Sequence, residues 1–408
     1  MRKPASYLSH LECARCGDRY SFTELQATCT CGGPLLCRYD LHAAARELRK
    51  EHLSNRPPGM WRYRELLPVQ DPEHAVTLGE GSTPLLPSLW GAQHGLEQLL
   101  IKDEGRNPTA TFKARGAAVA VTRLRELGVA RVAVSSSGNA GDAWAAYCRR
   151  GGIEATIFVP SDVPLPTLVE AALTGENVYT FGGHNARGGT LAQSYATAHD
   201  AFCPNTFHEP YRAEGKKTMG LEIAEQLGWQ MPDVIVYPIG GGVGLIGIWK
   251  AFCELREMGW VSGPLPRFIV AQYEGCAPVV KAFEEGMDAC QSWADISTLP
   301  GGLRAPKPKA DFLVLRILRE TNGMAVAVSG HDALSAVREV METDGLFICP
   351  EAATAIVALR RLIDRGAVGR KERIVLINTG SGLKYASLFH PPVKHVEDGV
   401  TGIAMAHS

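Results

Sequence analysis

Val234-Ile235-Val236-Tyr237-Pro238-Ile239-Gly240-Gly241-Gly242-Val243-Gly244 is an apolar run that breaks into a glycine turn. The stretch Leu245–Met258 follows, with Ile248, Trp249, Phe252 and Leu255 at helical spacing. A buried strand, a tight turn and a helix, in that order, form the unit from which parallel α/β sheets are built. Without side chains the turn lets backbone approach a ligand, and the helix start faces that ligand with partial positive charge. The turn is therefore a candidate cup for a lone phosphate. It is not the dinucleotide fingerprint, because Leu245 stands where the last glycine belongs, and no Gly-Lys-Ser/Thr follows to make a P-loop. A merely tight βα turn is the other reading of the same residues.

The alternation continues outward in both directions from about Val76. Leu99–Lys102, Arg131–Val134, Ile153–Val159, Phe268–Gln272 and Arg373–Asn378 read as strands. Ala114–Leu127, Ala140–Arg150, Gly215–Leu227, Asp332–Met341 and Glu351–Ile363 read as helices. Between Gln272 and Asp332 lies a polar, proline-containing stretch in which no element is read. The pattern predicts an α/β protein with open parallel sheets covered on both faces.

At 408 residues the chain is long for one core, so more than one domain is expected. The hydrophobic fraction of 45% and charged fraction of 21% are those of a soluble globular protein. A formal net charge of -1 gives no general attraction to nucleic acid or an acidic membrane surface. Residues 1–10 lack the apolar core of a signal peptide, and no run of about twenty apolar residues predicts a membrane span. Eleven cysteines without a secretory start fit a reducing, cytoplasmic compartment better than a disulfide framework.

Two more places carry special chemistry at strand ends, where ligands bind in open α/β sheets. Ser135-Ser136-Ser137-Gly138-Asn139-Ala140-Gly141 opens a helix and suits a carboxylate, although a polar cap would use the same residue types. Asn378-Thr379-Gly380-Ser381-Gly382-Leu383-Lys384 follows the last strand, and a hydroxyl there suits a ring nitrogen. A third feature is Lys113, in Asn107-Pro108-Thr109-Ala110-Thr111-Phe112-Lys113-Ala114-Arg115-Gly116 at a loop-to-helix junction. A lysine desolvated there becomes a nucleophile for imine formation, whereas a lone surface lysine at a helix start would do nothing special. A lysine for an imine, a cup for one phosphate and a hydroxyl for a ring nitrogen together describe pyridoxal phosphate.

At these residues the chain resembles the threonine synthase family, within the fold type II (β-family) pyridoxal-phosphate enzymes. The resembling stretches also include Gly79-Glu80-Gly81-Ser82-Thr83-Pro84-Leu85 and Pro210-Tyr211-Arg212-Ala213-Glu214-Gly215-Lys216-Lys217-Thr218, and together they span residues 79 to 384. The resemblance implies two open parallel-sheet α/β domains with the cofactor between them. With it we divide the chain into an N-terminal Cys-rich ribbon and arm (1–75), a larger phosphate-binding domain (76–110 with 221–408), and a smaller domain (111–220). It implies that Lys113 carries the imine, flanked by Phe112, and serves as the catalytic base. Asn139 would meet the cofactor's ring hydroxyl, Gly240, Gly241, Gly242, Val243 and Gly244 its phosphate, and Thr379 its ring nitrogen. Ser136, Ser137, Gly138 and Ala140 would hold the substrate carboxylate. Arg115, Arg212, Lys216 and Lys217 are the candidate cations for a substrate phosphate, with a solvated basic stretch as the alternative for the last three.

The implied reaction converts O-phospho-L-homoserine and water to L-threonine and phosphate, and a homodimer is a common assembly in the family. The chain also departs from the family's usual pattern. Ala114 stands for an Asp, Ser381 for a His, Lys216 for a Gln, and Ala140 for a frequent hydroxyl residue. These positions border the substrate, so a β-eliminating serine/threonine dehydratase or diamino acid ammonia-lyase is the leading alternative. A non-catalytic binding protein on the same fold is a further one.

Finally, Cys13-x2-Cys16 and Cys29-x-Cys31 have the outline of a four-thiolate zinc ribbon, although the second pair is tighter than usual. A ribbon that packs without metal is the alternative. The tail from His390 to Ser408 has little pattern and reads as an arm or a disordered end.

Overall fold

The computed structural model describes residues 4–182, 185–391 and 393. The expectation for the tail therefore lies almost wholly outside the described residues.

The chain opens with β1 (Leu8–Cys13), β2 (Arg19–Tyr20) and β3 (Leu35–Tyr39), an antiparallel ribbon in the order β2-β1-β3. The polar stretch after the ribbon forms two short helical pieces. α1 (Leu41–Glu47) is capped by the Asp40 side chain, and a separate 3-10 turn follows at Lys50–Asn55. Next come β4 (Leu85–Pro87), α2 (Leu89–Gln93), β5 (Gln98–Asp103) and α3 (Lys113–Glu126). β6 (Arg131–Ser135), α4 (Ala140–Gly151), β7 (Glu154–Pro160), α5 (Leu165–Leu173), β8 (Asn177–Phe181) and α6 (Asn185–Ala198) continue the alternation. The chain then runs through α7 (Tyr211–Gln226), β9 (Val234–Pro238), α8 (Val243–Glu257) and β10 (Arg267–Tyr273). Last are α9 (Pro278–Glu284), α10 (Asp311–Glu320), β11 (Met324–Val328), α11 (Gly330–Asp344), α12 (Pro350–Asp364) and β12 (Arg373–Asn378).

Two α/β sheets result. One has the order β11-β10-β9-β12-β5-β4, and the other β6-β7-β8. All neighbours are parallel except β4, which pairs antiparallel with β5 through Leu85–Lys102, Leu86–Ile101 and Pro87–Leu100. The open parallel sheets expected from the sequence are present, with β4 added antiparallel at one edge. Pro87 lacks a donor for a further ladder, and an edge position tolerates it. β9 is buried along its whole length and β12 along all but Arg373, as strands covered by helices on both faces should be.

The stretch from Gln272 to Asp332 holds more order than its composition indicated, since α9, α10 and β11 lie within it. α10 has a helical apolar stripe at Leu313, Val314, Ile317 and Leu318, all buried, which the surrounding prolines and charges obscured. α7 also begins four residues before the expected start. The Glu209 carboxylate accepts hydrogen bonds from the backbone N–H of Tyr211 (2.7 Å) and Arg212 (2.9 Å), satisfying donors that a helix start leaves open. No helix among the described residues is long and apolar enough to cross a membrane.

Candidate active site

A cavity of about 460 Å³ opens between the two α/β sheets, at the carboxyl ends of β6, β9 and β12. Lys113, Phe112, Ser136, Ser137, Gly138, Asn139, Ala140, Arg212, Lys216, the Gly240–Gly244 turn and Thr379 all line it. Residues separated by more than 260 positions in the chain thus share one wall system.

Lys113 is held there by a strained loop. Thr109 and Ala110 both lie in the left-handed region, with φ of 57° and 54°, which costs non-glycine residues energy. The loop is pinned to the segment after β12. Phe112 N–H donates to the Thr379 carbonyl (3.1 Å), and Ser381 N–H donates to the Ala110 carbonyl (2.9 Å). The same bonds therefore set the distance between Lys113 and Thr379. Lys113 Nζ lies 4.2 Å from the centre of the Phe112 ring. Burial lowers its pKa from the usual lysine range to about 8, with the Glu351 carboxylate opposing and the Arg212 guanidinium reinforcing the shift.

Lys216 Nζ lies 3.8 Å from the centre of the same ring. It is 3% exposed and forms no hydrogen bond or ion pair with any described residue. Burial, and after it the Lys113 ammonium and the Arg212 guanidinium, push its pKa well below the usual lysine value. The two amines share one aromatic ring, and no carboxylate among the described residues pairs with Lys216. Arg212, by contrast, is committed. Its Nε is 2.5 Å from Glu209, its Nη2 donates to the Pro204 carbonyl (2.7 Å), and its guanidinium lies over Trp144.

The glycine turn leaves no room for side chains. A Cβ on Gly240 would lie 2.4 Å from the Gly302 carbonyl oxygen, and one on Gly244 2.0 Å from Tyr237 Oη. Gly242 has φ of +80° and precedes the first residue of α8. The result is a backbone-lined hollow at a helix start, a shape and polarity suited to an anion. Across the cavity, the Ser136 hydroxyl is engaged within its own loop. It donates to the Gly138 carbonyl (2.7 Å) and accepts from the Gly138 N–H (3.2 Å), which aims the first turn of α4 at the cavity. Thr379 offers a neutral hydroxyl 3.4 Å from Cys349 Sγ. A depressed amine, a phosphate-sized backbone cradle and a neutral hydroxyl are a donor set that fits pyridoxal phosphate.

A model of the pyridoxal-phosphate dependent enzymes matches residues 76–380. Threonine synthase of Methanocaldococcus jannaschii is 34% identical over 374 residues, covering 91% of this chain and 92% of that protein. That of Methanosarcina acetivorans is 35% identical over 378 residues, with 92% of each covered. This chain belongs to the threonine synthase family of pyridoxal-phosphate dependent enzymes. Among solved structures, maize serine racemase superposes with a TM-score of 0.65 at 21% identity, covering 75% of this chain and 90% of that one. The processed threonine deaminase isoform 2 of Solanum lycopersicum gives 0.62 at 21%, covering 75% and 85%. These likenesses show that the fold is shared.

Two of the expected phosphate-binding cations of this family member lie outside the cavity. Arg115 is 0% exposed, and its guanidinium is bound to Glu104 (2.6 Å), Glu222 (2.7 Å) and Thr218 (2.9 Å). Lys217 is also 0% exposed, paired with Glu214 (2.7 Å) and Glu254 (2.8 Å) beneath the Tyr39 ring. Both charges are consumed by carboxylates in the interior. The solvated-stretch alternative is corrected too, because Arg212, Lys216 and Lys217 are all buried.

Sequence reasoning missed Glu351, His208, Thr206 and the loop Gly302–Lys309, which also line the cavity. Glu351 was read only as the start of a helix, but a carboxylate beside Pro350 at a strand-proximal helix start was a usable signal. His208 and the 302–309 loop offered none, since they reach the cavity only through packing between the sheets.

At the N-terminus, the thiols of Cys13, Cys16, Cys29 and Cys31 all lie within 4.8 Å of one another. Cys13 and Cys31 Sγ are 3.5 Å apart, and Cys16 and Cys29 Sγ 3.4 Å. Backbone N–H groups of Arg15 and Cys31, and the Tyr20 hydroxyl, point at these sulfurs.

Proposed function

We propose that the protein is a threonine synthase, releasing phosphate from O-phospho-L-homoserine and adding water to yield L-threonine. The observation that carries the reading is Lys216, a buried amine on the Phe112 ring beside Lys113 with no carboxylate partner among the described residues, whose charged form a bound anion would favour. A phosphate dianion accounts for such a group. The hydroxyl of serine or threonine, as a dehydratase would take it, leaves it unexplained.

In this reading Lys113, Phe112, Asn139, Thr379 and the Gly240–Gly244 turn hold pyridoxal phosphate. When bound, that group supplies an electron-withdrawing ring that takes up negative charge from the substrate's α-carbon. Lys113 Nζ is the base that removes the α proton, and its lowered pKa leaves a substantial neutral fraction near neutral pH. The first turn of α4, with Ser136, Ser137, Gly138 and Ala140, orients the substrate by its carboxylate. Lys216 neutralises the phosphate as it leaves from Cγ, with Arg212 adding positive potential from its place on Glu209. Thr379 is neutral, so it accepts or donates at the ring nitrogen without forcing a proton onto it.

The test is to supply O-phospho-L-homoserine and follow inorganic phosphate together with threonine. Turnover confined to serine or threonine, with a 2-oxo acid as product, would replace this reading by the dehydratase.

The division at residues 75, 110 and 220 belongs to the same reading; the separation of β6, β7 and β8 from β4, β5 and β9 to β12 into two sheets supports it, while the 220 boundary falls within α7. A structural zinc on Cys13, Cys16, Cys29 and Cys31 belongs to it too. Tetrahedral thiolate coordination at about 2.3 Å needs sulfurs separated by about 3.8 Å, and the four thiols are already gathered on that scale. Metal analysis of the purified protein checks it. A cytoplasmic location and a homodimer complete the proposal, the latter checked by light scattering.

A further inference from the structure

We propose that Glu351 and Tyr385 are positioning residues that set the orientation of the Asn139 amide, so that one of its N–H bonds is held toward the cofactor. The inference rests on the reading above that Asn139 meets the cofactor's ring hydroxyl.

The argument is one of counting protons. Glu351 is 4% exposed, and its Oε1 accepts from the Gly302 backbone N–H at 3.0 Å and from the Tyr385 hydroxyl. Oε1 is thus the acceptor in both contacts, and the Tyr385 hydroxyl is a donor to it. Tyr385 has a single hydroxyl proton and gives it to Glu351, so its oxygen is left with lone pairs alone. Asn139 Nδ2 lies 3.1 Å from that oxygen. The Asn139 carbonyl would meet the Tyr385 oxygen lone pair to lone pair, so the amide must present its NH2 end there. Thr167 Oγ1 then donates to Asn139 Oδ1 at 3.2 Å, consistent with the same orientation. An amide nitrogen has two protons, and only one is used by Tyr385. The other has no partner among the described residues, while Asn139 lines the cavity together with Lys113 and Thr379.

Without the carboxylate, Tyr385 is free to rotate its proton toward Asn139. The amide could then flip and turn an oxygen where a donor is needed. The flip would set a lone pair against the ring hydroxyl's oxygen, losing one hydrogen bond and adding a repulsion, an effect of about tenfold in affinity.

The test compares the dissociation constant for pyridoxal phosphate, and the pH midpoint of the bound cofactor's absorbance, in five proteins. These are the parent, Asn139→Ala, Tyr385→Phe, Glu351→Ala and Glu351→Gln. Tyr385→Phe removes one hydroxyl and keeps the ring, so it guards against a variant that fails to fold. Asn139→Ala, Tyr385→Phe and Glu351→Ala should each weaken the cofactor by about tenfold and move the midpoint in the same direction. Glu351→Gln should stay close to the parent, because its Oε1 still accepts from Gly302 and Tyr385. A sixth protein, the double variant Asn139→Ala/Tyr385→Phe, should be no worse than Asn139→Ala alone.

If Asn139→Ala is impaired while Tyr385→Phe behaves as the parent, the positioning role is wrong and the role of Asn139 stands. If Glu351→Gln is as poor as Glu351→Ala, charge rather than acceptance matters, and the orientation argument is overturned. If Asn139→Ala itself matches the parent, the underlying reading of Asn139 fails and takes this inference with it.

Discussion

Lys216 and Lys217 are neighbours on α7 and both are buried, yet they live in opposite environments. Successive residues on a helix are turned by about 100°. Lys216 therefore faces the cavity with Arg212, four residues before it, whereas Lys217 faces the ribbon with Glu214, three residues before it. On the ribbon side the charge is fully answered. Glu214 receives Lys217 at 2.7 Å, Lys250 at 3.0 Å and the Tyr39 hydroxyl at 2.9 Å. On the cavity side Lys216 has only an aromatic ring. A third side of the same helix carries Thr218 and Glu222 to Arg115. Burial by itself thus says little about role. What separates a structural lysine from one awaiting a ligand is whether a carboxylate of the same chain already balances it.

The largest expected effect removes the amine on which the cavity side depends. Lys113→Ala should lower turnover by about 10³-fold or more while leaving the thermal transition in place. Borohydride treatment should label the parent, but not the variant, with a pyridoxyl group. Normal turnover by the variant would break the comparison at its root.

Lys217→Met should leave the buried Glu214 and Glu254 carboxylates with Lys250 as their one remaining cation among the described residues, one charge short of balance. A loss of about 3–5 kcal/mol in unfolding free energy is expected, read by denaturant titration, with the Michaelis constant of any folded fraction little changed. Lys216→Met should do the reverse. The Michaelis constant for the phosphorylated substrate should rise by about ten- to a hundredfold, with stability unchanged or improved, since a buried amine with no hydrogen-bond partner among the described residues has left the interior. If both variants lose stability alike, the two sides of α7 do not differ as described.

Replacing Cys29 by Ser should release bound metal, seen with a thiol-insensitive colorimetric chelator, and should lower the thermal transition by several degrees. Because Tyr39 on β3 reaches Glu214, the ribbon side should soften before the cavity does.

The smallest effect concerns pH. The cofactor-free protein needs a neutral Lys113 amine to take up the aldehyde, and burial lowers its pKa to about 8. Below that value the amine is protonated and slow, so the rate of attachment should climb as pH rises and level off above about 8. A rate still climbing past pH 10 would mean an ordinary, solvated lysine.

The alternation of strands and helices was legible because its signals are local. β12 and the helices after the two polar turns are marked by apolar periodicity and by Gly, Ser and Asn at their ends. Lys113, Asn139, the Gly240 turn and Thr379 each sit at such a junction, and the topology of a parallel sheet gathers those junctions at one edge. α10 was not legible because its four-residue stripe is short and follows directly on the proline-rich stretch at Pro306 and Pro308. β4 was missed because an antiparallel edge strand of three residues carries almost no periodicity.

Residue order along the chain determined which groups are available: a lysine after an aromatic, four thiols in two pairs, a basic triplet near the start of α7. Only the tertiary structure decided what those groups do. It placed Arg115 and Lys217 against carboxylates more than thirty positions away in the chain as well as nearby ones, and left Lys216 open to the cavity. It also brought Glu351 and Tyr385 to Asn139 across more than two hundred residues. Charge balance in a low-dielectric interior depends on distance in space, and spacing along the sequence does not encode it.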